Sequence, residues 1–90
     1  MIRQPSKPDK MYSVEVFDNA AKGNNLIVAN PCVYAQKPSD AVIYAMNQEG
    51  YGRSRANVSP YDGKSNTSLM IAKVCLLGGR KESVSYYVVG

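Results

Sequence analysis

The chain has no histidine and no tryptophan, a single phenylalanine, and only two cysteines among its 90 residues. Each shortage excludes something. Without histidine the commonest general base is missing, and with it the Ser-His-Asp and Cys-His nucleophile arrangements. Cys32 and Cys75 stand far apart in sequence, whereas structural zinc sites gather their ligands at short spacings. No metal site and no cofactor is expected. Both cysteines fall in apolar strand patterns, where a free thiol behaves as a small hydrophobe, so reduced, buried thiols and a cytoplasmic setting are expected. No apolar run approaches the ~18 residues that a membrane span requires. Residues Met1 to Lys10 hold no apolar segment of the signal-peptide kind. They are expected to form a flexible basic arm over 1–10, ahead of a single domain over 11–90.

Acidic residues are also few: Asp9, Glu15, Asp18, Asp40, Glu49, Asp62 and Glu82. Each reads as a turn, cap or solvent-facing strand residue, which leaves only folding to bring two of them together as an acid and base pair. Gly78-Gly79-Arg80 lacks the remainder of any phosphate-loop signature and reads as a turn. The expectation is a protein that is not an enzyme.

Enough apolar residues are present for a core, at 44%, and a charged share of 20% argues against a disordered chain. The formal net charge of +4 favours nucleic acid or an acidic protein as a partner; no membrane partner is expected.

Tyr12 to Phe17 alternates in the manner of a half-buried strand. Asp18 to Asn24 supplies turn chemistry, and Leu26 to Gln36 resumes a strand interrupted at Pro31. Proline cannot donate a ladder hydrogen bond, so this second strand is predicted to be an edge, bulged or split. Lys37-Pro38-Ser39-Asp40 opens a helix, with Ser39 predicted as N-cap and Asp40 placed well against the dipole. Gly50 is a natural left-handed stop. At 100° per residue, Ala41, Val42, Ile43, Ala45 and Met46 share one arc. Tyr44 falls on the other, predicted to point away from the sheet. Tyr51 to Val58 reads as a weaker strand, with Tyr51, Arg53 and Arg55 on its open face and small residues packed under the helix. Ser59 to Asn66 reads as a loop, Ser68 to Leu77 as the central strand, Gly78 to Lys81 as a hairpin turn and Ser83 to Val89 as the closing strand. The sum is an α+β class: ββαβββ, a small, mostly antiparallel sheet of four to five strands with one helix packed on one face.

Two features can carry binding. One is the aromatic and basic stripe Tyr51, Arg53, Arg55, extended by Lys73 and Tyr86 if neighbouring strands bring them near. Stacking on aromatics with backbone charge neutralisation is how sheets hold single-stranded nucleic acid. The other is a protein-binding surface of Tyr44, Tyr61 and the loop that carries Lys64. Tyrosine offers large amphipathic area with few rotors to freeze, and seven are present. Some, Tyr12 and Tyr34 among them, are expected to serve only the core or the sheet.

Glu49-Gly50-Tyr51-Gly52 matches part of the RNA-recognition signature, but Glu49 stands at its basic position and Arg53 and Arg55 replace its later aromatics. That family also needs two helices, and it is rejected. Thr67 to Leu76 resembles a late strand of the filamentous-phage single-strand-binding proteins over about ten residues of common strand composition. The whole layout, a strand hairpin, Lys37-Pro38-Ser39-Asp40-Ala41 opening a short helix, then Gly50-Tyr51 into further strands, resembles small phage and mobile-element accessory proteins such as anti-CRISPR inhibitors. That resemblance implies a non-enzymatic inhibitor docked on a host protein or ribonucleoprotein complex that handles nucleic acid. The resemblance transfers no residue; the contact set expected from exposure combined with aromatic and basic character is Tyr44, Tyr51, Arg53, Arg55, Tyr61 and Lys64. Many such inhibitors are acidic nucleic-acid mimics; this chain is basic, which points instead to occlusion of a protein surface. The alternative expectation is a single-stranded nucleic-acid-binding protein using a Tyr/Arg sheet face. A third is a homodimer formed through an edge strand, either Ser83 to Val89 or the proline-marked second strand.

Overall fold

A computed structural model describes residues 9–18, 25–62, 70–78 and 83–90. The predicted α+β layout is the one observed. Strands β1 (Lys10–Asp18) and β2 (Asn25–Ala35) precede one helix, α1 (Pro38–Gln48), and strands β3 (Val58–Pro60), β4 (Met70–Leu77) and β5 (Ser83–Val89) follow it. The five strands form one sheet in the order β2-β1-β4-β5-β3, with every neighbouring pair antiparallel. The most apolar strand, β4, lies at the centre as predicted.

Alternation in β1 sends Tyr12, Val14 and Val16 to the helix side, where all three are buried. Register then aligns Val28 and Val33 of β2, and Ala72 and Val74 of β4, on that same side. The helix covers them with the predicted arc: Ala41, Val42, Ile43, Ala45 and Met46 are buried, four of the five completely. This one interlayer core is the fold's main source of stability.

The helix begins differently from the prediction. Pro38, not the residue after Ser39, is its first residue, and extended Lys37 stands at the N-cap with no side-chain capping bond. Proline's fixed φ and missing N–H suit the first helical position, so Ser39 falls inside the first turn. The helix ends as predicted. Gly50 takes φ 87°, its N–H donates to the Asn47 carbonyl at 3.0 Å, and the Tyr51 N–H donates to the Met46 carbonyl at 3.0 Å. That pair of bonds is a Schellman stop.

β2 is an edge strand, and its pairing with β1 shifts register between Tyr12 and Val14, opposite Asn30 to Val33. Pro31 sits in that shift, as the sequence predicts. Asn30 stitches it: its Oδ1 accepts from the Cys32 N–H at 3.2 Å, and its Nδ2 donates to Gln48 Oε1 at 2.7 Å. β5 is not a sheet edge over Tyr87 to Val89, because β3 pairs with it there. The predicted arm over 1–10 lies outside the described residues except for Asp9 and Lys10, and Lys10 already belongs to β1. Gly78 takes φ 73° after β4, while the rest of the predicted turn lies outside the described residues.

Candidate partner-binding surface

Tyr51, Arg53 and Arg55 do not form a sheet stripe. Residues 51–54 belong to no helix or strand, Arg55–Asn57 is one turn of 3-10 helix, and only Val58–Pro60 enters the sheet. The reason is local. Gly50 and Gly52 both adopt positive φ, which breaks strand alternation twice in three residues. The backbone donors then find side chains: the Arg53 N–H gives to Asn47 Oδ1 at 2.6 Å, and the Ser54 N–H to Asn57 Oδ1 at 3.0 Å. With those donors satisfied, nothing is left to drive a ladder. The small residues predicted to pack beneath the helix, Gly52, Ser54 and Ala56, are exposed instead.

The outcome is a ridge that leaves the helix C-terminus and returns beside its N-terminus. At one end Arg53 is clamped: its Nη1 donates to the Tyr51 carbonyl, and its guanidinium lies over the Tyr51 ring, 5.9 Å from the centroid. At the other end Arg55 Nε stands 3.6 Å from Asp40 Oδ1. Asp40 is buried apart from an 11% exposed side chain, whereas the Arg55 side chain is 80% exposed. Arg55 therefore keeps most of its guanidinium free for a partner. Tyr51 is exposed as well.

The other predicted contacts separate. Tyr44 is half-buried and packs against the core cluster, so it does not project freely as predicted. A ring on the flank of so short a helix is large enough to reach sideways to the sheet. Tyr61 is half-buried, with its backbone N–H giving to the Tyr86 carbonyl at 3.0 Å. Ser59 and Pro60 belong to β3 rather than to a loop; Lys64 and residues 63–69 lie outside the described residues. Cys32 is exposed, contrary to the buried thiol predicted, because the bulge turns it out; Cys75 is half-buried, and both thiols are free.

Lys73 and Tyr86 are direct cross-strand partners, but on the sheet face away from the helix, apart from the ridge. Sequence reasoning undervalued that face. It carries Leu26, Cys32 and Tyr34 from β2, Met11, Glu15 and Phe17 from β1, and Ile71, Lys73, Cys75 and Leu77 from β4. Val84, Tyr86 and Val88 of β5 complete it. Leu26, Val84, Tyr86 and Tyr34 are 49%, 43%, 47% and 37% exposed. Part of the signal was present in the sequence: β4 is largely apolar at both alternating sets of positions, and Met11 and Phe17 of β1 add to the second, more than one covering helix requires. Here a hydrogen bond between the Tyr34 and Cys32 side chains, with Cys32's charge, raises the Tyr34 pKa.

Two hollows lie among the described residues near these features. One of about 140 Å³ is lined by Lys37, Ser39, Asp40, Ile43, Arg55 and Val58. Another of about 210 Å³ lies at the β1–β2 bulge, between Ser13, Val14, Glu15, Ala29, Asn30 and Pro31. Small-molecule sites usually enclose roughly 300–1,000 Å³, so each suits one inserted side chain rather than a free substrate. Among the described residues no group of three or more cysteine, aspartate or glutamate side chains could hold a metal ion, and no helix is long and apolar enough to cross a membrane. No protein-family model, curated protein or solved structure matches the chain.

Proposed function

We propose that this chain is a non-enzymatic binding module that docks on an acidic protein surface of a nucleic-acid-handling complex, acting as a small phage-type inhibitor. The ridge Tyr51 to Arg55 is its contact. The observation that carries the reading is the way the ridge is held: a Schellman stop and the Asn47–Arg53 bond fix one end, and the Asp40–Arg55 ion pair fixes the other. A Tyr/Arg surface already ordered before binding loses little entropy on docking. Tyrosine and arginine are also the residue types over-represented among interface hot spots. The chain's net charge of +4 matches an acidic surface.

The test uses the full chain as bait in an extract of its native host, followed by affinity measurement against the purified captured component. Tyr51→Ala with Arg55→Ala touches no side chain of the interlayer core, and unchanged far-ultraviolet circular dichroism is the check that the fold is kept. The expected outcome is a loss of affinity of at least about tenfold, as hot-spot truncation produces. Unchanged affinity overturns the assignment. Titration with single-stranded oligonucleotides at low salt is the companion measurement. Binding that falls log-linearly and steeply with salt would replace the protein partner with nucleic acid.

A further inference from the structure

We infer that the sheet face opposite the helix is the self-association surface of this protein, and that its occupant is a second copy packed sheet on sheet. This goes beyond the ridge and does not depend on it.

The face is apolar and electrically balanced. Among its described residues only Glu15 and Lys73 are charged, and they oppose each other on neighbouring strands at the middle of the sheet. A nucleic-acid surface would accumulate cations without a matching acid. A surface that meets itself must instead be self-complementary.

Two facing sheets related by a two-fold axis have that axis in the plane between them. When the axis runs along the strands midway between β1 and β4, each β1 residue faces the second copy's β4 residue on the same rung, and β2 faces β5. The rungs then read sensibly. Glu15 meets the second copy's Lys73 and Met11 meets Leu77, both of them cross-strand partners within one copy. Tyr86 meets Ala29, because Tyr86 shares a rung with Lys73 and Ala29 shares it with Glu15. The most prominent knob of β5 therefore lands on Ala29, the smallest side chain that β2 presents on this face. Ala29 lines the hollow of about 210 Å³ with Ser13, Glu15, Asn30 and Pro31, which has room for the arriving ring. Knob and hole occur twice by symmetry.

The area is sufficient. Four strands at ~4.8 Å spacing and seven residues at ~3.3 Å each give a footprint of about 450 Å² per copy before side-chain relief. Counting relief, two copies bury at least about 1,000 Å², the low end for a specific interface, so the dimer is reversible.

Sedimentation velocity on the full chain over a broad concentration series tests this. The expected result is a concentration-dependent species of twice the 9.8 kDa chain mass. Ala29→Trp, which fills the hollow, and Tyr86→Ser, which removes the knob, should each weaken dimerisation by about tenfold or more while far-ultraviolet circular dichroism is unchanged. The charge pair fixes the register. Glu15→Lys and Lys73→Glu chains should each be monomeric, since like charges then meet across the axis, and a 1:1 mixture should form a heterodimer. The Tyr51→Ala, Arg55→Ala chain should dimerise as the parent does, which separates failure here from failure of the ridge. A chain monomeric at every concentration overturns the inference. So does a dimer indifferent to Ala29→Trp and Tyr86→Ser, which would be joined through the β2 edge instead.

Discussion

The two faces of this sheet are built from the same strands and nearly the same residue types, yet they are spent differently. On the helix side, Val14, Val16, Val74 and Val89 are buried to the last percent. On the other, Leu26, Val84, Tyr86 and Tyr34 stand a third to a half exposed. One helix of eleven residues covers one face of a five-stranded sheet and no more. The comparison teaches that apolar alternation reports a strand's capacity to be buried, while the number of covering layers decides which side is.

The largest test of that contrast is a matched pair of truncations. Met46→Ala removes a fully buried side chain at the layer interface and should cost about 2–5 kcal/mol in denaturant unfolding. Val84→Ala, measured at a dilution where copies are apart, should cost under ~1 kcal/mol, because water already reaches that side chain. Equal costs would erase the distinction between the faces. Next comes Gly50→Ala. A Cβ there meets nothing within 4 Å, so the penalty is purely the left-handed backbone at φ 87°, about 1–2 kcal/mol. A neutral result would mean that the Schellman stop does not set the ridge's departure.

Ionisation sharpens the same comparison. Burial, with a smaller contribution from the Tyr87 charge, raises the pKa of Tyr12. The folded chain therefore holds this proton after the unfolded chain, with a tyrosine pKa of ~10, has released it. The stabilisation is complete below that value and is lost as pH climbs from there through the folded pKa. Tyr12→Phe should flatten that alkaline decline, and a spectrophotometric phenolate titration should lose one of its late components. The smallest effect belongs to Asp40→Asn. With Arg55 exposed, the pair should contribute less than about 1 kcal/mol and fade with added salt, read as a shift in denaturation midpoint. A loss that salt leaves untouched would show that Asp40 acts through packing instead.

Much of the frame was legible. Pro31 announced the irregular edge strand, the apolar arc of α1 announced its buried face, and Gly50 announced its end. All three are local statements, made by residues whose conformational limits travel with them. The candidate contacts were less legible. Tyr51, Arg53 and Arg55 alternate as a strand would, but Gly52 permitted a second positive φ and Asn47 and Asn57 offered competing acceptors. No period in the sequence reveals which side chain will outbid a ladder carbonyl. Tyr44 was misplaced for a related reason: a helical wheel gives direction but not the reach of a large ring to its neighbours.

By itself, then, the sequence determined the α+β order of elements, the C-terminal end of the helix and its buried arc, and the central place of apolar β4, because propensity, proline, glycine and alternation act over a few residues. The tertiary structure alone decided that β3 forms the second edge, that the 51–57 segment returns along the helix to bring Arg55 to Asp40, and which apolar face the helix leaves uncovered. Those outcomes depend on contacts between residues distant in the chain, and a single helix had to choose one side of the sheet.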